Sequence, residues 1–151
     1  NGYFLKSSNI YNKILQDYDL EENLNVRILL DYANSLRMEK KYSQAISQTI
    51  KALQIKPDLG EAHLLQGNIY VSGAKSCGND FEQTTVYWLA VDCFVKAKSD
   101  DKVKDIAVKL INTYSKYFPN KETCFFNGVQ SGENYNIGCW INKTTLARTI
   151  D

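Results

Sequence analysis

Apolar residues recur at steps of three and four along most of this chain, the spacing of one buried helix face. Phe4, Ser7, Tyr11, Ile14 and Leu15 predict a first helix over residues 3–17. An acidic connector runs from Asp19 to Asn25. Val26, Leu29, Leu30, Ala33 and Leu36 then mark a helix over 26–39, ended by Lys40 and Lys41. Ser43 stands where its hydroxyl would cap the next helix by accepting a free backbone N–H. Ala45, Ile46, Thr49, Ile50, Ala52 and Leu53 form the inner side of that helix. Pro57 ends it near Lys56, because the residue before proline is pushed out of helical geometry. A fourth helix over 60–72 carries Ala62, Leu65, Ile69 and Tyr70. From Gly73 to Asp80 the composition is that of a loop. Helix resumes near Glu82 and holds to Lys98, with Tyr87, Ala90, Val91, Phe94 and Ala97 inward. Asp101 opens a last helix to Tyr117, with Ile106, Ala107, Leu110, Ile111 and Tyr114 on one side.

Beyond Pro119 the period changes from helical to alternating. Tyr135, Ile137, Cys139 and Ile141 would share one face of a strand, with Trp140 on the other. Thr144 to Ile150 would form a second strand. An extended segment after a run of helices is expected to cap the end of the helical stack.

A longer period overlies the helical one. Leu29, Tyr32, Ala33, Asn34 and Leu36 stand 34 residues before His63, Gln66, Gly67, Asn68 and Tyr70. A period of this length signals stacked helix-turn-helix units. Ala33 and Gly67, then Ala45 and Ala90, then Ala52 and Ala97 are small where helices must approach closely. Leu29, Tyr32, Leu36, Tyr70 and Phe94 would fill the space beside them.

These residues resemble the tetratricopeptide repeat. Residues 26–59 match its pattern in Ala33, Ala45, Ala52 and Pro57. Residues 60–98 match in Gly67, Tyr70, Ala90, Phe94 and Ala97, and depart at His63 and Gln66. The second unit holds about eleven extra residues between its helices, an insert over 73–83. That insert would be a second contact surface or a tolerated surface insertion. Residues 3–18 look like the closing helix of an earlier unit, and 101–117 like a capping helix. The resemblance implies an all-α helix-turn-helix solenoid of about six helices over 1–119, followed by an extended or β tail over 120–151.

The tail is similar to the closing segment of exported bacterial tetratricopeptide proteins of unassigned role. Tyr117-Phe118-Pro119, Cys124-Phe125-Phe126, Gly138-Cys139-Trp140-Ile141 and Thr144-Thr145 carry that likeness. It implies a periplasmic or envelope-associated protein, longer than this chain, with a cytoplasmic location as the alternative.

In the family the first helix of each unit lines a concave groove. Carried over, the groove residues are Arg27, Leu30, Asn34, Arg37 and Met38 from the first unit. The second unit supplies Glu61, Leu64, Asn68 and Val71. Asn34 and Asn68 are equivalent, and an amide can both donate to and accept from a peptide backbone. Equally, two solvent-facing asparagines can coincide. Some members clamp a terminal carboxylate with a lysine one turn before the asparagine; Leu30 and Leu64 stand there, so that clamp is not expected.

Composition narrows the functional classes. The chain has 151 residues, with Lys+Arg 18 against Asp+Glu 17, a net charge of +1. A nucleic-acid binder would show a basic excess on one face, so none is expected as a partner. No stretch reaches the apolar length of a membrane helix. The one histidine, His63, occupies a packing place, so no Ser-His-Asp or Cys-His arrangement can be assembled around it. No phosphate loop and no paired cysteine spacing for zinc is present, and no cofactor or metal is expected. The four cysteines, Cys77, Cys93, Cys124 and Cys139, allow three pairings. Cys93 follows an apolar face and reads as a buried free thiol. In an exported protein, Cys124–Cys139 or Cys77–Cys124 would pair. Asn142-Lys143-Thr144 would be a glycosylation acceptor only in a eukaryotic secretory setting. The expected function is a non-enzymatic scaffold that binds a peptide or protein segment in the groove. The alternatives are a structural C-terminal cap, or an accessory region of a larger envelope protein or enzyme.

Overall fold

Residues with the helical apolar period fold as a stack of helices, and the glycine-containing tail folds back over it. The computed structural model describes the backbone of residues 2–150 and the side chains of residues 7–150. The stack comprises α1 (Gly2–Asp17), α2 (Glu22–Met38), α3 (Tyr42–Ile55), α4 (Gly60–Gly73), α5 (Asp80–Ala97) and α6 (Lys104–Tyr114). The tail adds a short helix, α7 (Lys121–Phe126), and two strands, β1 (Asn134–Ile137) and β2 (Lys143–Leu146). The strands are antiparallel, with Tyr135 opposite Thr145 and Ile137 opposite Lys143. Each of the first six helices packs on its chain neighbours, and α2 also packs on α4. Contact between successive first helices is what stacks one helix pair on the next.

Small residues set these approaches. Ala33, Ala45, Ala52, Ala90 and Ala97 are fully buried. At Gly67 an added Cβ would lie 2.3 Å from Cε1 of Phe94, so the Phe94 ring lies directly on the α4 backbone. Tyr70 and Leu36, equivalent in the repeat, are both buried. The α5 helix is buried nearly all round, Trp88 and Phe94 completely. A helix that is apolar on every side must be covered on every side. Here α4 and α6 cover part of it, and β1 and β2 cover more.

Several expected boundaries move. Most of the acidic connector joins α2, which starts at Glu22. The insert over 73–83 shrinks: α4 runs to Gly73, a 3₁₀ turn spans Ala74–Ser76, and α5 starts at Asp80. Asn79 caps α5 reciprocally with Glu82, each side chain accepting from the other's backbone N–H, an arrangement that satisfies two orphan donors at once. Ser43 does not cap α3. The turn closes through Lys41 N–H donating to the Leu36 carbonyl, so α3 begins at Tyr42 with Ser43 inside its first turn. Ile50 and Ile106 are exposed rather than inward, and Val103 takes the buried place before α6. Phe4 belongs to α1, but its side chain lies outside the described ones.

The tail departs most. The expected strand from Tyr135 stops at Ile137, because Cys139 and Asn142 adopt left-handed backbone conformations (φ 52° and 44°) that turn the chain. Cys139 therefore leaves the face shared by Tyr135 and Ile137. The second strand ends at Leu146, and Ile150 instead bridges to Asn120. Helix α7 lies within a segment expected to be extended; the Asn120 side chain caps it by accepting from Thr123 N–H at 2.7 Å.

Candidate functional site

The predicted groove residues divide by burial. Leu30 and Leu64 are only 8% and 9% exposed and belong to the core, so neither is available to a ligand. Arg27, Asn34, Met38 and Glu61 are exposed, and Arg37, Asn68 and Val71 are half-buried. Arg27 is engaged along its own helix, with Nε 3.3 Å from Asp31 Oδ2.

Arg37 joins the two units. Its Nη1 donates to Ser72 Oγ at 3.1 Å, and the Ser72 hydroxyl donates to the Asn68 carbonyl at 2.8 Å. On its other side, Nε and Nη2 donate to Asn34 Oδ1 at 3.2 and 2.9 Å. The Asn34 acceptor is thus occupied, and its Nδ2 donors have no partner among the described residues. The side-chain amide of Asn68 also has none among them. The expectation that both asparagines donate and accept is revised: Asn34 is set up only to donate.

At the Ser72 end of this row lies a cavity of about 700 Å³. Its walls come from the α2–α3 turn, the first turn of α3, the end of α4 with its 3₁₀ turn, and Trp140 of the tail. Lys40, Lys41 and Lys75 line it, and no carboxylate does among the described residues. Lys41 is partly neutralised, with Nζ 2.7 Å from Glu39 Oε2. Burial of Glu39 acts to raise its carboxyl pKa, but Lys41 and Ser8 outweigh this and hold it below the usual carboxylate range. Neither Lys40 nor Lys75 has an ion-pair partner among the described residues.

Trp140 is held by its surroundings. It stacks on Tyr70, with ring centroids 5.8 Å apart, and leans on Tyr42 at 5.4 Å. It also lies against Gly73, where an added Cβ would fall 2.5 Å from Cζ2 of the indole. Only glycine leaves room for that contact. The neighbouring Cys139 is bonded to Cys77, with Cα atoms 5.4 Å apart. This corrects both expected pairings. Cys124 is buried and free, because α7 carries it into the core rather than toward Cys139. Cys93 is buried and free as expected. Burial pushes its thiol up to about 12, against the opposing pull of Lys96 and Lys143. Burial also raises the Cys124 thiol. Neither is a nucleophile at neutral pH, since the thiolate is the reactive form.

A second set of ties fixes the tail on α5. Trp88 Nε1 donates to the Arg148 carbonyl at 2.7 Å, and Arg148 Nη2 donates to the Trp88 carbonyl at 3.2 Å. Arg148 also pairs with Asp92, whose other oxygen accepts from Thr145 Oγ1. The Arg148 guanidinium lies 5.5 Å from the Phe118 ring centroid.

His63 is half-buried and Nε2 lies 3.2 Å from the Pro57 carbonyl, a packing role at the inter-unit turn. Among the described residues no group of three or more His, Cys, Asp and Glu side chains could hold a metal ion. None of the described helices is long and apolar enough to cross a membrane. The basic cavity was not anticipated. Lys40 and Lys41 read from sequence as a helix end, and nothing along the chain places Lys75 or Trp140 beside them. No family model, curated protein or solved structure matches the chain.

Proposed function

We propose that this chain is a tetratricopeptide-like, non-enzymatic scaffold that binds a peptide or protein segment across the first helices of its two units. The observation that carries this reading is the Asn34–Arg37–Ser72–Asn68 row. It spans α2 and α4, stiffens the face between them, and leaves amide donors open on both helices. Unpaired amide donors on a rigid face suit the carbonyls of an extended peptide, because main-chain hydrogen bonds are independent of ligand sequence. The likeness of the tail to exported bacterial proteins adds a periplasmic or envelope location. The Cys77–Cys139 disulfide supports that location, since such bridges persist in oxidising compartments.

Selecting binders to the full chain from a random peptide display library tests the reading. Selected peptides should bind the parent protein and lose about tenfold or more in affinity on N34A/N68A, two lost donors at about 1 kcal/mol each. Failure to recover any binder, or binders indifferent to both asparagines, overturns it.

A further inference from the structure

The cavity shares Ser72 with the helix-face row and extends beyond it, and nothing in the reading above uses its charge. We infer that it is a recognition pocket for an acidic peptide segment in which a carboxylate is flanked by an apolar or aromatic side chain. The inference rests on the peptide-binding reading and names the chemistry of the ligand.

Four features of the cavity agree. Lys40 and Lys75 line it with no ion-pair partner among the described residues, no acidic side chain lines it among them, and Glu39, which reaches the lining Lys41, is offset by that pair. Its aromatic wall is Trp140 with Tyr42, held in place by the Cys77–Cys139 bond one residue away. The volume, about 700 Å³, suits two or three side chains rather than an inorganic ion. The first turn of α3 also opens here without a side-chain cap, so its free N–H groups add positive potential.

The backbone at Lys40 is an independent sign. Lys40 has φ 61° and stands just after α2, where Lys41 N–H closes the turn on the Leu36 carbonyl. This is the left-handed helix-ending position at which glycine is strongly favoured, because a Cβ is strained there. The chain places a lysine at a position where its backbone would prefer glycine, and that lysine lines the cavity.

The sharpest test follows from this conflict. The probe is a dye-labelled peptide, acetyl-Glu-Glu-Phe-Glu-Glu-amide, titrated with the full chain and read by fluorescence anisotropy. Lys40→Gly should raise the melting temperature by a few degrees while weakening binding several-fold. K40A/K75A should weaken it about tenfold, the sum of two exposed charge contacts. Raising the salt to about 0.5 M should weaken parental binding, since exposed charges are then screened. A peptide with Lys in place of every Glu should not bind, and one with Ser in place of Phe should bind several-fold more weakly. The inference is overturned if K40A/K75A binds the acidic peptide as the parent does, if the Lys peptide binds equally, or if Lys40→Gly leaves affinity unchanged. The peptide-binding reading survives that result when display-selected peptides still depend on Asn34 and Asn68. It fails with it when no peptide binds at all.

Discussion

The helical stack and the tail are held together by different physics. In the stack, each helix touches its chain neighbours through many small contacts between alanines, leucines and aromatic rings. The connecting turns are short, three residues between α2 and α3 and four between α3 and α4. In the tail, two four-residue strands and a six-residue helix depend on a few long-range ties. These are the Cys77–Cys139 bond, the Trp140 seat and the Trp88–Arg148–Asp92 network, added to the burial of Cys124, Val129, Ile137, Ile141 and Ala147 in the core cluster of α4 and α5. A two-stranded hairpin is marginal on its own. The tail therefore takes its order from α4 and α5, whereas the stack generates its order from its own repeat.

Breaking the covalent tie should give the largest effect. The disulfide closes a chain separation of 62 residues. By the loop-entropy argument C77S/C139S should lose about 4 kcal/mol of stability, read as a fall in the urea midpoint. The far-ultraviolet helical signal should persist in native buffer, while amide exchange should accelerate around β1 and β2. Equal acceleration in α2 and α3 would contradict the division between stack and tail. Thiol counting on denatured, unreduced protein should find two free cysteines, Cys93 and Cys124, and four after reduction.

Paired glycine substitutions sharpen the comparison at a smaller scale. Gly67→Ala forces a methyl into the Phe94 ring and should cost about 2 kcal/mol as overpacking. A Cβ at Gly138 meets nothing within 4 Å, so Gly138→Ala should stay within about 0.5 kcal/mol of the parent. Similar costs at the two sites would mean that the tail is packed as tightly as the stack.

The smallest expected effect is an acid-sensitive contact within the stack. Glu39 is 3% exposed and its folded pKa lies below the ordinary value of 4.5. Its ionised form is therefore favoured by folding. That contribution is complete above pH 4.5 and is lost as the pH falls through the lower folded pKa. Stability measured against pH should show this step in the parent and lack it in Glu39→Gln. An unchanged profile in the variant would remove Glu39 from the account.

What was legible in the sequence follows the same division. The helices of the stack were readable because their burial repeats every three or four residues, and Ala33 with Gly67 marked the close approaches. The groove row was readable only in part. The tetratricopeptide resemblance pointed to Asn34, Arg37 and Asn68, but the same carry-over also chose Leu30 and Leu64, which neighbouring elements bury. Trp88 went unread as a tail anchor because its indole partner, the Arg148 carbonyl, lies 60 residues away.

The sequence by itself determined the all-helical stack and the small residues at its contacts, because these are set by local periodicity. Only the tertiary structure decided which cysteines pair, where Trp140 rests and that Lys40, Lys41 and Lys75 share one cavity. The lysines meet because the α2–α3 turn lies beside the end of α4, and the other two facts depend on how the tail returns across residues 40–77. No local pattern encodes that return, because its stabilising contacts join residues about sixty positions apart in the chain.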